Sequence, residues 1–186
     1  MVNICRLIDQ VRATYGQNFL SPQPRQFTSK VKNAQEAHEA IRPTDVDRTP
    51  AEVARYLNGR TVMVTGAGGS IGSELCHQLA KFAPAELVMV DRDESALHAL
   101  QLRLDGRALL DHRNLVVCDI RDADRMHQVF AEHRPEVVFH AAALKHLPLL
   151  ELHPSEALKT NVYGTVHVLD AARAHGVHRF VNISTD

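Results

Sequence analysis

From residue 60 onward, short apolar runs alternate with longer stretches in which apolar residues recur at helical spacing. The runs at 62–64, 87–90, 115–117, 137–139 and 180–183 predict β-strands, and the stretches near 71–83, 94–104, 123–133 and 155–175 predict helices. Strands that are apolar on both sides and separated by helices are typical of a parallel sheet covered on both faces. With right-handed crossovers, the pattern predicts the α/β class and a Rossmann-type doubly wound parallel sheet of five strands.

The first part of the chain has a different pattern, without any apolar run of the strand type. It predicts a helix over 2–15, a polar stretch over 21–33 and a second helix over 34–41. The second helix ends before Pro43, because the residue before a proline is disfavoured in the helical conformation. Thr49 and Pro50 then have the residue types of a helix start. We therefore predict a mainly helical or irregular segment over 1–58 and a separate α/β domain over 59–186.

Composition and charge narrow the choice of partners. The chain has 186 residues, 45% of them hydrophobic, and a formal net charge of −1, which is typical of a globular protein and gives no global attraction to DNA or an anionic membrane. The three cysteines lack a CxxC spacing and the 12 histidines are scattered, so neither disulfides nor a metal site are predicted. No apolar run reaches membrane-spanning length, and the N-terminus lacks a signal pattern. We predict a cytoplasmic protein without a membrane segment.

A glycine-rich turn follows the first predicted strand and opens the first helix. Gly66 would allow the sharp turn, Gly69 would let a pyrophosphate approach the backbone, and Gly72 would let the helix pack close to the strand. Ser70 and Ile71 lie at the helix N-terminus, where free N–H groups attract an anion. A tight structural turn alone would also use glycines, but the strand before and the helix after favour a dinucleotide site. The predicted cofactor is NAD, and the domain over 59–186 is assigned as NAD(P)-binding.

An acid at the end of the second predicted strand supports the same hypothesis. Asp91 would accept hydrogen bonds from the adenosine ribose and repel a 2′-phosphate, although it could also simply cap the helix that begins near Asp93. Arg92 could accommodate a 2′-phosphate, so NADP stays open. Asp119 and Ile120, after the third strand, are candidates for the adenine edge, or only an ordinary strand end before a turn.

Residues 60–186 resemble the extended short-chain dehydrogenase/reductase family. The resemblance rests on segments 65–75, 140–150, 156–165 and 183–186, and the Ala-Ala-Leu-Lys-His run of 142–146 is its most specific part. Within the family they are most similar to bacterial nucleotide-sugar 4,6-dehydratases of polysaccharide biosynthesis, which act on UDP-N-acetylglucosamine.

The resemblance implies roles for further residues. Ala141, Ala142 and Ala143 would line the cofactor trough, and Asn161 would be architectural. Lys145 and His146 would face the nucleotide-sugar substrate, the alternative being a solvated lysine and a helix-capping histidine. Thr185 and Asp186 would be catalytic, with Asp186 as the acid that assists loss of the C6 hydroxyl.

The implied reaction is an internal redox cycle. NAD takes a hydride from C4 of the sugar, water leaves across C5–C6, and the hydride returns to C6. The chain ends at Asp186, before the family's next basic residue, its downstream catalytic lysine and its sugar-binding part. We therefore expect the domain to be incomplete at its C-terminus and inactive as given. A homo-oligomer is left open.

Residues 2–57 resemble a fragment of bacterial type IA DNA topoisomerase, through Tyr15-Gly16, Ser29-Lys30 and the run over 34–46. In that family His38 and Arg42 would lie near the DNA backbone. An ordinary polar helix over 35–43 is the alternative interpretation. The chain would then join two unrelated fragments, and the alternative function is a DNA-binding segment with a passenger Rossmann domain. Eight basic against six acidic residues in 1–59 argue against DNA as a partner. A third hypothesis is a dinucleotide-binding module without catalysis.

Overall fold

The computed structural model describes residues 55–183, and within them it shows five strands and an alternating set of helices. The strands are β1 (Thr61–Thr65), β2 (Glu86–Asp91), β3 (Leu115–Val117), β4 (Val137–His140) and β5 (Arg179–Asn182). The helices are α1 (Ser70–Ala80), α2 (Glu94–Asp105), α3 (Ala123–His133), α4 (Leu147–Leu152), α5 (Pro154–Ala157) and α6 (Thr165–Ala174), and a π-helix (Leu158–Gly164) joins α5 to α6. Of the mainly helical or irregular segment predicted over 1–58, residues 1–54 lie outside the described residues.

The strands form one sheet in the order β3-β2-β1-β4-β5, and every pairing is parallel. The predicted Rossmann-type sheet is confirmed. From β1 the chain moves through β2 to β3 on one side, and then returns to place β4 on the other side of β1. In such sheets the connections diverge between the two central strands, and a crevice opens at their carboxyl ends.

Alternate side chains of β1 point to opposite layers of helices. Val62 and Val64 belong to a buried cluster with residues of α1 and α2, whereas Met63 belongs to a cluster with residues of α3 and α6. Both faces of the strand are therefore fully covered, which explains why the strands are continuous apolar runs rather than alternating ones.

Local signals fix where the helices start and stop. The side chains of Asp93 and Asp122 accept hydrogen bonds from the first turns of α2 and α3. Gly106 ends α2 with a φ of +70°. The predicted helix over 71–83 ends earlier, at Ala80, since Ala83 adopts a φ of +48° directly before Pro84. The single predicted helix over 155–175 is instead three successive elements, and α4 was not predicted.

None of the helices within residues 55–183 combines the length and the apolar character needed to cross a bilayer.

Candidate functional site

A groove with an empty volume of about 550 Å³ lies at the carboxyl ends of β1, β2 and β4. Its walls bring together residues from every predicted cofactor motif except the first turn of α1. They are Gly66, Gly69, Val90, Asp91, Arg92, Cys118, Asp119, Ile120, Ala141, Ala142, Ala143, Leu144 and Thr160. Val90, Cys118, Leu144 and Thr160 had not been predicted. Burial raises the pKa of the Cys118 thiol to about 11, so this wall residue stays neutral near pH 7.

Gly66 and Gly72 are among the loop glycines that the fold itself requires. Gly66 has a φ of +73°, and a Cβ there would lie 2.6 Å from the backbone of Ala142, on the opposite wall. A Cβ on Gly72 would collide with the carbonyl oxygen of Gly66. The close contact that Gly72 permits is therefore with the loop, rather than with the strand as the sequence had suggested.

Gly69 is different, because a Cβ there would meet only the Gly66 carbonyl oxygen, at 3.3 Å, and would otherwise extend into open space. It is the N-cap of α1, where no side chain provides a capping hydrogen bond and the first turn carries no acidic residue. The N–H groups of the first turn, including those of the exposed Ser70 and Ile71, are free to bind an anion. The open face of Gly69 is thus next to a positive helix end.

The carboxylate of Asp91 holds the loop from the neighbouring strand. Its Oδ2 accepts the N–H of Gly68 at 2.8 Å, and its Oδ1 accepts the N–H of Asp93 at 3.0 Å. Asp93, not Asp91, caps α2, by accepting the N–H of Ala96 at 3.1 Å. The alternative in which Asp91 serves as the helix cap is therefore wrong. Gly68 was missed because the partner of its N–H lies 23 positions away in the sequence.

The π-helix positions two neighbouring polar side chains. Asn161 accepts the N–H of Leu144 and donates to its carbonyl oxygen, both at 2.8 Å, and so holds the segment after β4 in place. Thr160 faces the groove, is only 7% exposed, and its hydroxyl has no hydrogen-bond partner among the described residues. A buried hydroxyl without a partner is costly, so it points to a ligand atom at this place.

Other predicted site residues lie elsewhere. Lys145 and His146 are exposed and follow Leu144 without lining the groove. His146 occupies the N-cap position of α4, but its side chain makes no capping hydrogen bond. Thr185 and Asp186, like His38 and Arg42, lie outside the described residues. Within 55–183 no group of three or more potential metal ligands is present.

Residues 62–186 match the family described as "Polysaccharide biosynthesis protein". The probable polysaccharide biosynthesis protein EpsC of Bacillus subtilis is 40% identical over 148 residues, which are 78% of this chain and 24% of EpsC. A UDP-N-acetylglucosamine 4,6-dehydratase (inverting) of Campylobacter jejuni is 30% identical over 131 residues, 70% of this chain and 37% of the enzyme. The chain thus spans about a quarter to two-fifths of the length of these relatives.

Solved structures show the same fold. A UDP-glucose-4-epimerase from Stenotrophomonas maltophila with bound NAD and formylated UDP-arabinopyranose is 32% identical, has a TM-score of 0.59, and is matched over 68% of this chain and 37% of its own. The UDP-glucose 4-epimerase of Bifidobacterium longum in complex with NAD+ and UDP is 27% identical, with a TM-score of 0.57, over 67% of this chain and 37% of its own. The topoisomerase resemblance of residues 2–57 stays a prediction. By the match over residues 62–186, the chain belongs to the polysaccharide biosynthesis protein family.

Proposed function

We propose that the groove binds NAD, and that residues 59–186 supply the cofactor-binding part of a nucleotide-sugar 4,6-dehydratase or epimerase. The observation that carries the proposal is the open face of Gly69 beside the uncapped N-terminus of α1. A diphosphate requires this combination, a backbone without side-chain obstruction and free N–H groups with a partial positive charge. Solved relatives that contain bound NAD support the choice of ligand.

The residues present fit such a cofactor along the whole groove. Asp91 and Asp119 provide carboxylates at the ends of β2 and β3, Ala141 to Ala143 form a small-residue wall, and Thr160 provides a buried hydroxyl that lacks a partner. When bound, NAD supplies a hydride acceptor and donor. The protein groups described here bind it, orient it and limit access of water to it.

We propose NAD rather than NADP as the natural cofactor. Both oxygens of Asp91 already accept backbone N–H groups, which fixes its negative charge at the groove wall. Arg92, the residue that could attract a 2′-phosphate, is half exposed. Its Nη1 lies 3.8 Å from Oδ2 of Asp119, so the carboxylate compensates part of its positive charge.

The substrate we propose is a UDP-sugar of the UDP-N-acetylglucosamine type, in keeping with the dehydratase relative. Lys145 and His146 are exposed directly after the wall residue Leu144, and we assign them to the diphosphate of this substrate. Thr185 and Asp186 follow β5 in the sequence, and we assign them to the acid–base chemistry at the carboxyl edge of the sheet. Because the relatives are much longer, we expect no 4-keto product from the 186 residues alone when NAD and UDP-N-acetylglucosamine are supplied.

Calorimetric titration of NAD into the 186-residue chain and into Gly69→Val tests the proposal. Valine at this position fills the open face, so binding should be lost while the fold persists. Ala80→Val is the matched control, since Ala80 is exposed at the other end of α1 and the change costs only about 0.5 kcal/mol in helix propensity. No binding by the wild-type chain, or equal affinities of wild type and Gly69→Val, would refute the proposed site.

A further inference from the structure

The guanidinium of Arg121 lies at the centre of a charged network beside Asp119, a residue of the groove wall. Its Nε and Nη2 lie 2.9 and 2.6 Å from Oδ2 of Asp119, and its Nε lies 3.1 Å from Oδ1. Its backbone N–H donates to Oδ1 of the same carboxylate at 3.0 Å. Its Nη1 donates to Oε2 of Glu156, on α5, at 3.1 Å.

These contacts leave the Asp119 carboxylate with few free hydrogen-bond acceptor sites. An ionised carboxylate offers about four lone-pair sites, and Arg121 uses about three of them through its backbone N–H, Nε and Nη2. About one acceptor site is left. Since Asp119 lines the groove and its side chain is 28% exposed, that site is available to a ligand N–H group.

The same contacts keep the carboxylate charged. Partial burial raises the pKa of Asp119, but the hydrogen bonds and charge of Arg121, with the charge of Arg92, outweigh it and hold that pKa below its usual range. At neutral pH Asp119 therefore accepts hydrogen bonds and does not donate them.

Arg121 is itself fixed from a second element. Oε2 of Glu156 accepts from Arg121, and Oε1 of Glu156 lies 2.7 Å from Nζ of Lys159. Glu156 and Lys159 lie just before Thr160 and Asn161 in the sequence. The network thus joins the end of β3 to the helical segment that forms another part of the groove. Rotation of the Asp119 side chain would break its hydrogen bonds to Arg121, whose guanidinium Glu156 holds from the helical segment.

We propose that Arg121 is a positioning residue, which orients Asp119 so that its remaining acceptor site receives the exocyclic amino group of a purine. The inference rests on the proposed binding of NAD with Asp119 at the adenine edge, and adds that Arg121 sets the orientation of that carboxylate. Arg121 contacts Asp119 and Glu156 and acts on the ligand only through Asp119.

The test compares NAD with nicotinamide hypoxanthine dinucleotide, in which a carbonyl oxygen replaces the amino group of adenine. Calorimetry is carried out on the 186-residue chain, on Arg121→Ala and Arg121→Lys, and on Arg125→Ala. Arg125 is the control, because it lies on α3 and does not line the groove. Its Nη1 lies 3.4 Å from Oε1 of Glu132.

The wild type should prefer NAD by about tenfold or more, the range of a hydrogen bond to a charged group. Arg121→Ala should weaken NAD binding by about tenfold and change the hypoxanthine analogue much less. Arg121→Lys should retain part of the preference, since an ammonium makes a single-point contact, and Arg125→Ala should retain all of it.

An unchanged preference in both Arg121 variants, or equal weakening of both dinucleotides, would overturn the inference, since loss of general structure lowers both affinities together. In either case NAD binding by the wild type would leave the proposed function standing. If the wild type binds neither dinucleotide, the proposed function fails and this inference fails with it.

Discussion

The hydroxyl of Thr65 lies 2.6 Å from Nδ1 of His140, and the pair joins the last residue of β1 to the last residue of β4. On the other side of the ring, Nε2 lies 3.0 Å from the hydroxyl of Thr165, which donates its own proton to the carbonyl oxygen of Asn161. The hydroxyl of Thr165 can then only accept, so Nε2 carries a proton. Because burial lowers the pKa of His140 to about 4, the ring is neutral at pH 7 and its Nδ1 accepts from Thr65.

The buried imidazole predicts that stability falls in mild acid. Burial lowers the pKa of His140 to about 4, whereas an unfolded histidine has a pKa of about 6.5. Between these values the unfolded state binds the additional proton, so this contribution to stability is complete above about pH 6.5 and is lost as the pH falls towards 4. Urea unfolding should show a loss of about 2 kcal/mol from this group between pH 7.5 and pH 5.

His140→Gln separates this effect from the other titrating groups, since the glutamine amide does not take up a proton. The variant should be less stable than the wild type at pH 7.5, but should lose about 2 kcal/mol less on going to pH 5. Parallel pH profiles of the two proteins would show that His140 does not cause the loss.

Asn161→Asp should destabilise the protein in a pH-dependent way. At pH 7 the new carboxylate cannot donate to the carbonyl oxygen of Leu144, and we expect a loss of about 2 kcal/mol. Below about pH 5 a protonated carboxyl can donate again, so the deficit relative to the wild type should shrink. Asn182→Asp, an identical change on the exposed strand β5, should cost less than about 0.5 kcal/mol at any pH. A deficit for Asn161→Asp that does not vary with pH would contradict the assigned hydrogen bond.

Thr160→Val should have opposite effects on stability and on binding. Valine has nearly the same shape and removes the unpartnered hydroxyl, so the ligand-free protein should become about 1 kcal/mol more stable while the affinity for NAD falls several-fold. Thr165→Val is the matched control, because the hydroxyl of Thr165 has two partners and its loss should lower stability by about 1–2 kcal/mol. Thermal unfolding and calorimetry measure both quantities. Destabilisation by Thr160→Val would mean that its hydroxyl does have a partner in the protein.

Asp91→Ala should narrow the preference for NAD over NADP, because it removes the negative charge that repels a 2′-phosphate. Asp93→Ala is the control, since it removes the cap of α2, costs about 1 kcal/mol of stability, and leaves the preference unchanged. The ratio of the two dissociation constants is the measurement. A wild-type chain that already prefers NADP would place Arg92, rather than Asp91, in control of this end of the groove.

The strands and the glycine loop could be predicted because their signals are local. Val62 to Val64 form a strand that is buried on both faces, and Gly66 is followed at once by a helix start, so neighbouring residues carry the information. The early end of α1 also had a local signal, Pro84, which disfavours a helical conformation at Ala83.

What could not be predicted depends on contacts between distant residues. The pairing of Arg121 with Glu156 spans 35 positions, and that of Asn161 with Leu144 spans 17. The apolar residues of the π-helix continue the helical spacing of α5 and α6. The hydrophobic pattern therefore does not separate the three elements. Only packing against the segment after β4 shows that Thr160 faces the groove and Asn161 faces Leu144.

The position of β1 at the centre of the sheet also determines when the groove can form during folding. Thr61 pairs with Glu86, about 25 positions away, but Val62 pairs with Val137, about 75 positions away. Closing the longer loop costs about 1 kcal/mol more in chain entropy, so a partly folded chain forms the β1–β2 pair more easily than the β1–β4 pair. Such an intermediate has Gly66 but not the opposing wall at Ala142. A ligand that contacts both walls therefore stabilises only the complete sheet, and its binding makes folding of this domain more cooperative.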